Sequence, residues 1–142
     1  MAALPEALRK RLEPFGELDQ SQSRTPALTI EEFFTGNTDM GSIGCNLAPH
    51  PGIENFATTF KSILARGDVS DIRFPVTEFI DGLDWPFVDK AIIVTSAAPQ
   101  DIFSRCRDLQ PDEHWIADDE ELAGIDGVAI PQGHKAVVIW WD

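Results

Sequence analysis

Between Ile53 and Arg66 the apolar residues Ile53, Phe56, Ala57, Phe60, Ile63 and Leu64 recur every three or four positions, the spacing of one face of an α-helix. Pro51 suits the start of such a helix, Arg66 complements its carbonyl end, and Gly67 offers a stop. A second helix is predicted over Pro99 to Leu109, with Ile102, Phe103, Cys106 and Leu109 turned inward. Pro5 to Leu12 reads as a short helix carrying Leu4, Leu8 and Leu12 on one side. A further turn or two of helix follows Thr29 and carries Ile30, Phe33 and Phe34.

Two segments, Lys90 to Thr95 (KAIIVT) and Ala136 to Trp141 (AVVIWW), are β-branched or aromatic runs too short for helices and are predicted as strands. Their apolar residues do not alternate. Strands apolar on both faces must be covered on both, so these are expected at the centre of a sheet whose second face is closed by loops or by another molecule. Ile72 to Val76 does alternate, and Pro75, which cannot donate to a ladder, places that strand at an edge or a bulge. Glu113 to Ile116 adds a short strand, and Asp118 to Gly133 reads mostly as an acidic connection. The fold class that follows is α+β, a sandwich with helices packed on a mainly antiparallel or mixed sheet.

The chain has 142 residues, of which 43% are hydrophobic, enough for one core without a metal or disulfide staple. A single domain is expected over residues 1–142, with an N-terminal helical segment at about 1–16 and a polar linker at about 17–26. Charge is the unusual quantity: 24 Asp and Glu against 11 Lys and Arg leave a formal net charge of -13. Such a surface repels phosphate, and the one basic run, Arg9 to Arg11, is too small to make a nucleic-acid face. No segment has the form of a signal peptide and no apolar run approaches the ~20 residues that span a bilayer, so no membrane association is expected and the cytoplasm is the expected compartment. Cys45 and Cys106 lie far apart without ligand-like spacing, and both are expected as free thiols.

Candidate chemistry gathers in Gly36 to Asn46, GNTDMGSIGCN, where glycines alternate with Asn37, Asp39, Ser42, Cys45 and Asn46. A phosphate loop would need a lysine after its last glycine, and a nucleophile elbow would need Gly-x-Ser-x-Gly after a strand; neither is present. Asn, Asp and Ser bond their own backbone while Gly supplies positive φ, so a hydrogen-bonded turn accounts for the composition. Asn37, Asp39 and Asn46 remain binding candidates. Cys45 and His50 are close enough in sequence to raise a thiol nucleophile and an imidazole base with Asp39 beside them, although nothing identifies a group to orient the base. His50 is the better candidate for capping the helix that follows it.

The three histidines, His50, His114 and His134, show no zinc spacing, and a calcium loop begun at Asp118 would place Ala123 and Ala129 where glycine and glutamate are required. No metal and no cofactor are therefore expected. Asp118, Asp119, Glu120 and Glu121 belong to an acidic stretch without one lysine or arginine, which reads as a solvated loop or as a docking surface for a cationic partner. Trp85, in DGLDWPFVD, is either a recognition tip or a plug beneath a hairpin loop.

The segments FFTGNTDMGSIGCNL, DWPFVD and the terminal WWD resemble those of small uncharacterised bacterial proteins, and the resemblance extends over most of the chain while implying no activity. The leading expectation is a non-catalytic acidic domain that binds a basic protein, as an immunity protein binds a toxin. The alternatives are a small hydrolase or transferase using Asp39, Cys45 and His50, and a homodimer joined through the sheet with Trp140 or Trp141 in the contact.

Overall fold

In chain order, α1 (Glu6–Leu12) runs into a 3-10 turn at Glu13–Phe15, and β1 (Thr25–Leu28) leads through the N-cap Thr29 into α2 (Ile30–Phe34). After a loop come α3 (Ile53–Leu64), β2 (Val69–Pro75), β3 (Lys90–Thr95) and α4 (Pro99–Arg105). The chain then forms β4 (Glu113–Ile116), α5 (Asp119–Ala123), β5 (Ile125–Asp126) and β6 (Lys135–Trp140). This computed structural model describes residues 4–19, 24–80 and 85–142. Gln20 to Ser23 of the expected linker, and Asp81 and Asp84 beside Trp85, lie outside the described residues.

The strands make one sheet in the order β4-β6-β3-β2-β1-β5. Every neighbouring pair is antiparallel except β1 with β5, so this single-domain α+β fold has helices packed on a mainly antiparallel, mixed sheet. As the unbroken apolar runs require, β3 and β6 are central and buried on both faces. The first face meets the large core, in which Phe33, Phe56, Phe60, Phe74 and Trp141 are almost wholly enclosed under the first four helices. The second face, Ile92, Val94, Ala136 and Val138, is closed by the chain itself. Trp115, Ala117, Leu122, Ile125 and Val128 pack over it.

Three expectations need amendment here. Residues 118–133 are mostly connection but hold regular structure that was not expected, because Asp118 accepts from the Glu121 N–H at 2.8 Å and caps α5, after which β5 joins the sheet. The strand containing Pro75 is not an edge but lies between β3 and β1, and its register shift falls at Val69 to Asp71, away from the proline. Its ladder with β3 ends at Arg73 opposite Ile92, and the Val76 N–H donates to Pro26, so by alternation the proline's missing N–H faces the β3 side beyond the end of that ladder. Finally, Thr25 and Pro26, read as the end of a linker, belong to β1, and Leu18 is buried and bridged to Phe79.

The outer end of β1 is held by arginines. Ala27 extends past the two residues that β5 pairs, and its carbonyl accepts instead from Arg73 at 3.2 Å and Arg11 at 3.5 Å. Each guanidinium is neutralised by its own carboxylate, Asp71 and Glu32. Among the described residues, no helix is long and apolar enough to cross a membrane.

Candidate functional site

The loop after α2 is organised by one buried amide. Asn37 Nδ2 donates to Phe33 O at 3.2 Å and to Ser42 Oγ at 3.0 Å, while its Oδ1 accepts from the Asp39 N–H at 2.9 Å. Asp39 Oδ1 in turn accepts from the Gly41 N–H, and Ser42 Oγ donates back to the Asp39 carbonyl at 2.7 Å. The Ser42 carbonyl receives the Val88 N–H, which fastens the loop to the segment before β3. Gly44, at φ +63°, lies so close to Phe56 and Leu47 that an added Cβ would come within 3.0 Å of both. Only glycine fits both that backbone and that space.

These bonds give the side chains of Asn37, Asp39 and Ser42 local partners. Asn37→Ala would leave the Asp39 N–H and the Ser42 hydroxyl short of a partner, and the expected loss is about 2 kcal/mol. Urea unfolding followed by circular dichroism measures it; a loss below about 0.5 kcal/mol would show that the amide is not the organising group.

His50 is equally committed. Its Nε2 lies 2.8 Å from the Ile43 carbonyl and its Nδ1 2.9 Å from the N–H of Gly52, the N-cap of α3. A carbonyl partner demands a proton on Nε2 and an N–H partner demands a lone pair on Nδ1, so the hydrogen bonds assign one neutral tautomer with both nitrogens engaged. The ring ties the loop to the start of α3, close to the capping role expected for it. α3 itself starts at Ile53, two residues after Pro51.

Asp39 and Cys45 do share a surface depression of about 480 Å³ with Gly41, Glu78, Trp85 and Phe87, and His50 is not part of its lining. Cys45 is exposed there. Trp85 is 7% exposed and donates from Nε1 to Phe33 O at 2.8 Å, so it forms the floor as a plug and does not project as a tip. Asn46 points elsewhere, donating to Asp142 O at 2.9 Å.

The acidic segment reaches this loop at Asp112, which accepts from the Asp142 N–H at 2.6 Å while the Asp142 carbonyl accepts from Asn46. Asp118 caps α5, and Glu121 accepts from Trp115 Nε1 at 2.9 Å, which leaves Asp119 and Glu120 in solvent with Glu113 on β4. No ion pair among the described residues involves Glu113, Asp118, Asp119, Glu120 or Glu121. Elsewhere several cations are matched: Lys10 with Glu6, Arg24 with Asp126, Arg66 with Asp68 and Asp101, and Arg105 with Asp101. The Arg66 guanidinium, hydrogen-bonded to Asp68, holds that carboxyl below its ordinary pKa. Among the described residues, no group of three or more His, Cys, Asp or Glu could hold a metal ion. Sequence reasoning did not find β4 beside these acids as an open sheet edge; the short EHWI run was visible, but its place in the strand order was not.

With this geometry in hand, comparison with known proteins gives one consistent result. Residues 4–139 match the model of the family described as "Uncharacterized protein YfbO family". The chain belongs to that family. A relative, "Uncharacterized protein YfbO" of Escherichia coli (strain K12), is 33% identical over 128 residues, which cover 89% of this chain and 90% of the relative. The family match spans the loop, the acidic segment and nearly all of β6, so the three segments noted in the sequence sit within or directly beside one family-wide unit. No solved structure matches the chain.

Proposed function

We propose that the protein is a non-catalytic binding domain for a cationic protein, in the manner of an acidic immunity protein, and that it recognises its partner through the carboxylates between Asp112 and Glu121. The observation that carries this reading is the one-sided charge of residues 112–121, where no lysine or arginine occurs and Glu113, Asp119 and Glu120 stand in solvent without an ion pair. A net charge of -13 raises the rate of encounter with a basic partner, and apolar contacts would have to supply most of the affinity. Two unpaired thiols, one of them exposed, suit a reducing compartment, and we place the protein in the cytoplasm.

A thiol hydrolase or transferase is the weaker reading. Asp39 and Cys45 share a depression, but the imidazole that would serve as base is held on both nitrogens by backbone groups. The binding reading is tested by co-purification from the source bacterium with the wild-type chain, a Glu113→Lys/Glu120→Lys variant, and a control reversal at Glu6 and Glu54. A basic protein should be retained by the wild type and the control and lost from the variant. Capture of the same proteins by all three, or of no basic protein at moderate salt, would refute it.

A further inference from the structure

β4 is the terminal strand at one end of the sheet and, among the described residues, pairs on one side only, with β6. The Ala117 N–H donates to Ala136, and the register sets Trp115 opposite Val138 and Glu113 opposite Trp140. Alternation along an antiparallel ladder then turns the backbone groups of residues 113, 115 and 117 towards β6 and those of His114 and Ile116 away from it. These outward N–H and C=O groups form the unpaired row that strand addition uses.

The side chains around that row fit a visiting strand. Ile116 is 52% exposed, unusual for a large apolar residue here, and offers an anchor beside the open backbone. Phe103 of α4 stacks on His114 with ring centroids 4.4 Å apart, and with Ser104, Arg107 and Pro111 it lines a cavity of about 230 Å³, the size of one side chain. Asp112 and Glu113 flank the row at one end, and Asp118, Asp119 and Glu120 flank it at the other.

We propose that β4 is the docking edge and that its occupant is an extended, lysine- or arginine-bearing segment of the partner, added beside His114 and Ile116 as a further strand. The inference rests on the binding reading above and adds the mode of recognition. Carboxylates at both ends of the row favour a cationic strand, and the net charge of -13 on each copy opposes a second chain. A two-fold pairing that sets His114 of one copy against Ile116 of the other also sets Asp112 opposite Asp118, and like charges directly opposed destabilise a strand pair. A cationic strand meets attraction at the same positions.

The test uses the full isotope-labelled chain and three synthetic heptapeptides at moderate salt: Lys-Thr-Val-Lys-Val-Thr-Lys, the same peptide N-methylated at two adjacent central residues, and the version with glutamate in place of lysine. The first peptide should bind about ten-fold more tightly than its methylated form, because alternation aims one of the two adjacent N–H groups at β4 and the methyl group removes that hydrogen bond. It should also slow hydrogen exchange at the amides of His114 and Ile116, and the glutamate peptide should not bind. His114→Pro, which removes an outward N–H and none of the β6 ladder, should weaken binding of the first peptide several-fold by removing the hydrogen bond that this N–H would donate; if that variant does not fold, the methylated peptide tests the same row from the other side. Equal binding of both lysine peptides without protection of those amides would overturn strand addition and leave the cationic-partner reading standing. Equal binding of the lysine and glutamate peptides would overturn the charge selection. Binding by none at millimolar concentration would overturn the docking edge, the acids then serving to guard β4 against self-pairing, and the co-purification experiment would decide the broader reading separately.

Discussion

Trp141→Ala is expected to cost about 3–5 kcal/mol, the range for removing a large aromatic side chain from a core. The indole is 2% exposed and packs edge-on to Phe56 and Phe60, with centroids 5.5 Å and 6.2 Å away. Its Nε1 donates to Leu109 O at 2.8 Å, so truncation opens a cavity and also orphans a buried carbonyl. Trp141→Phe keeps much of the volume and loses the hydrogen bond, and should cost less than the alanine change. A domain of this kind has about 5–15 kcal/mol in total, which puts the alanine variant near the limit of folding. Urea unfolding followed by far-ultraviolet circular dichroism measures both. A loss below about 1 kcal/mol for the alanine variant would mean that the ring is not seated as described. The same burial removes Trp141 from the surface of the protomer, where a role in a homodimer contact had placed it; Trp140, half-buried at the end of β6, is the more accessible of the two.

What the sequence made legible was whatever one periodicity governs. The stripe from Ile53 to Ile63 forms α3, although Leu64 at its end is 38% exposed, and the helix ends at Ala65 in ordinary right-handed backbone, with no left-handed stop at Gly67. The unbroken runs in β3 and β6 announced a sheet covered on both sides, but what covers the second face could not be read. Trp115, Leu122, Ile125 and Val128 stand singly among acids and small residues, without a period. The spacing of Asp118 and Glu121, which suits a helix start, was the one local signal for α5, and the density of charge concealed it.

The candidate site was legible in composition and not in direction. The run of Asn, Asp, Ser and Gly from Gly36 to Asn46 does form a hydrogen-bonded turn, as side chains able to bond their own backbone would suggest. Four residues separate Cys45 from His50, yet nothing in that spacing tells which way the imidazole points. The fold turns it to Ile43 and Gly52. The open edge at β4 depends on strand order, which is a property of the whole chain.

Above pH 9 the fold should lose stability through Cys106. Burial at the end of α4 pushes this thiol up to about 12 from its ordinary value near 9, because the thiolate would have to form in apolar surroundings. In the unfolded chain the thiol ionises at its ordinary value, so between about pH 9 and 12 the native state binds more protons than the unfolded state and stability falls as pH rises. The slope approaches about 1.4 kcal/mol per pH unit, roughly 4 kcal/mol across the whole window, and below pH 9 this group contributes no pH dependence. Cys106→Ala lowers stability at every pH by leaving a small cavity, but it should remove this part of the slope. Cys45→Ala alters an exposed thiol and should leave the slope unchanged. Denaturant midpoints from pH 8 to 11 for the three proteins provide the measurement, and parallel curves for wild type and Cys106→Ala would refute the assignment. A thiol held in its protonated form is also a poor nucleophile. At neutral pH, then, Cys106 serves packing, and the chemistry open to this molecule is concentrated on its surface.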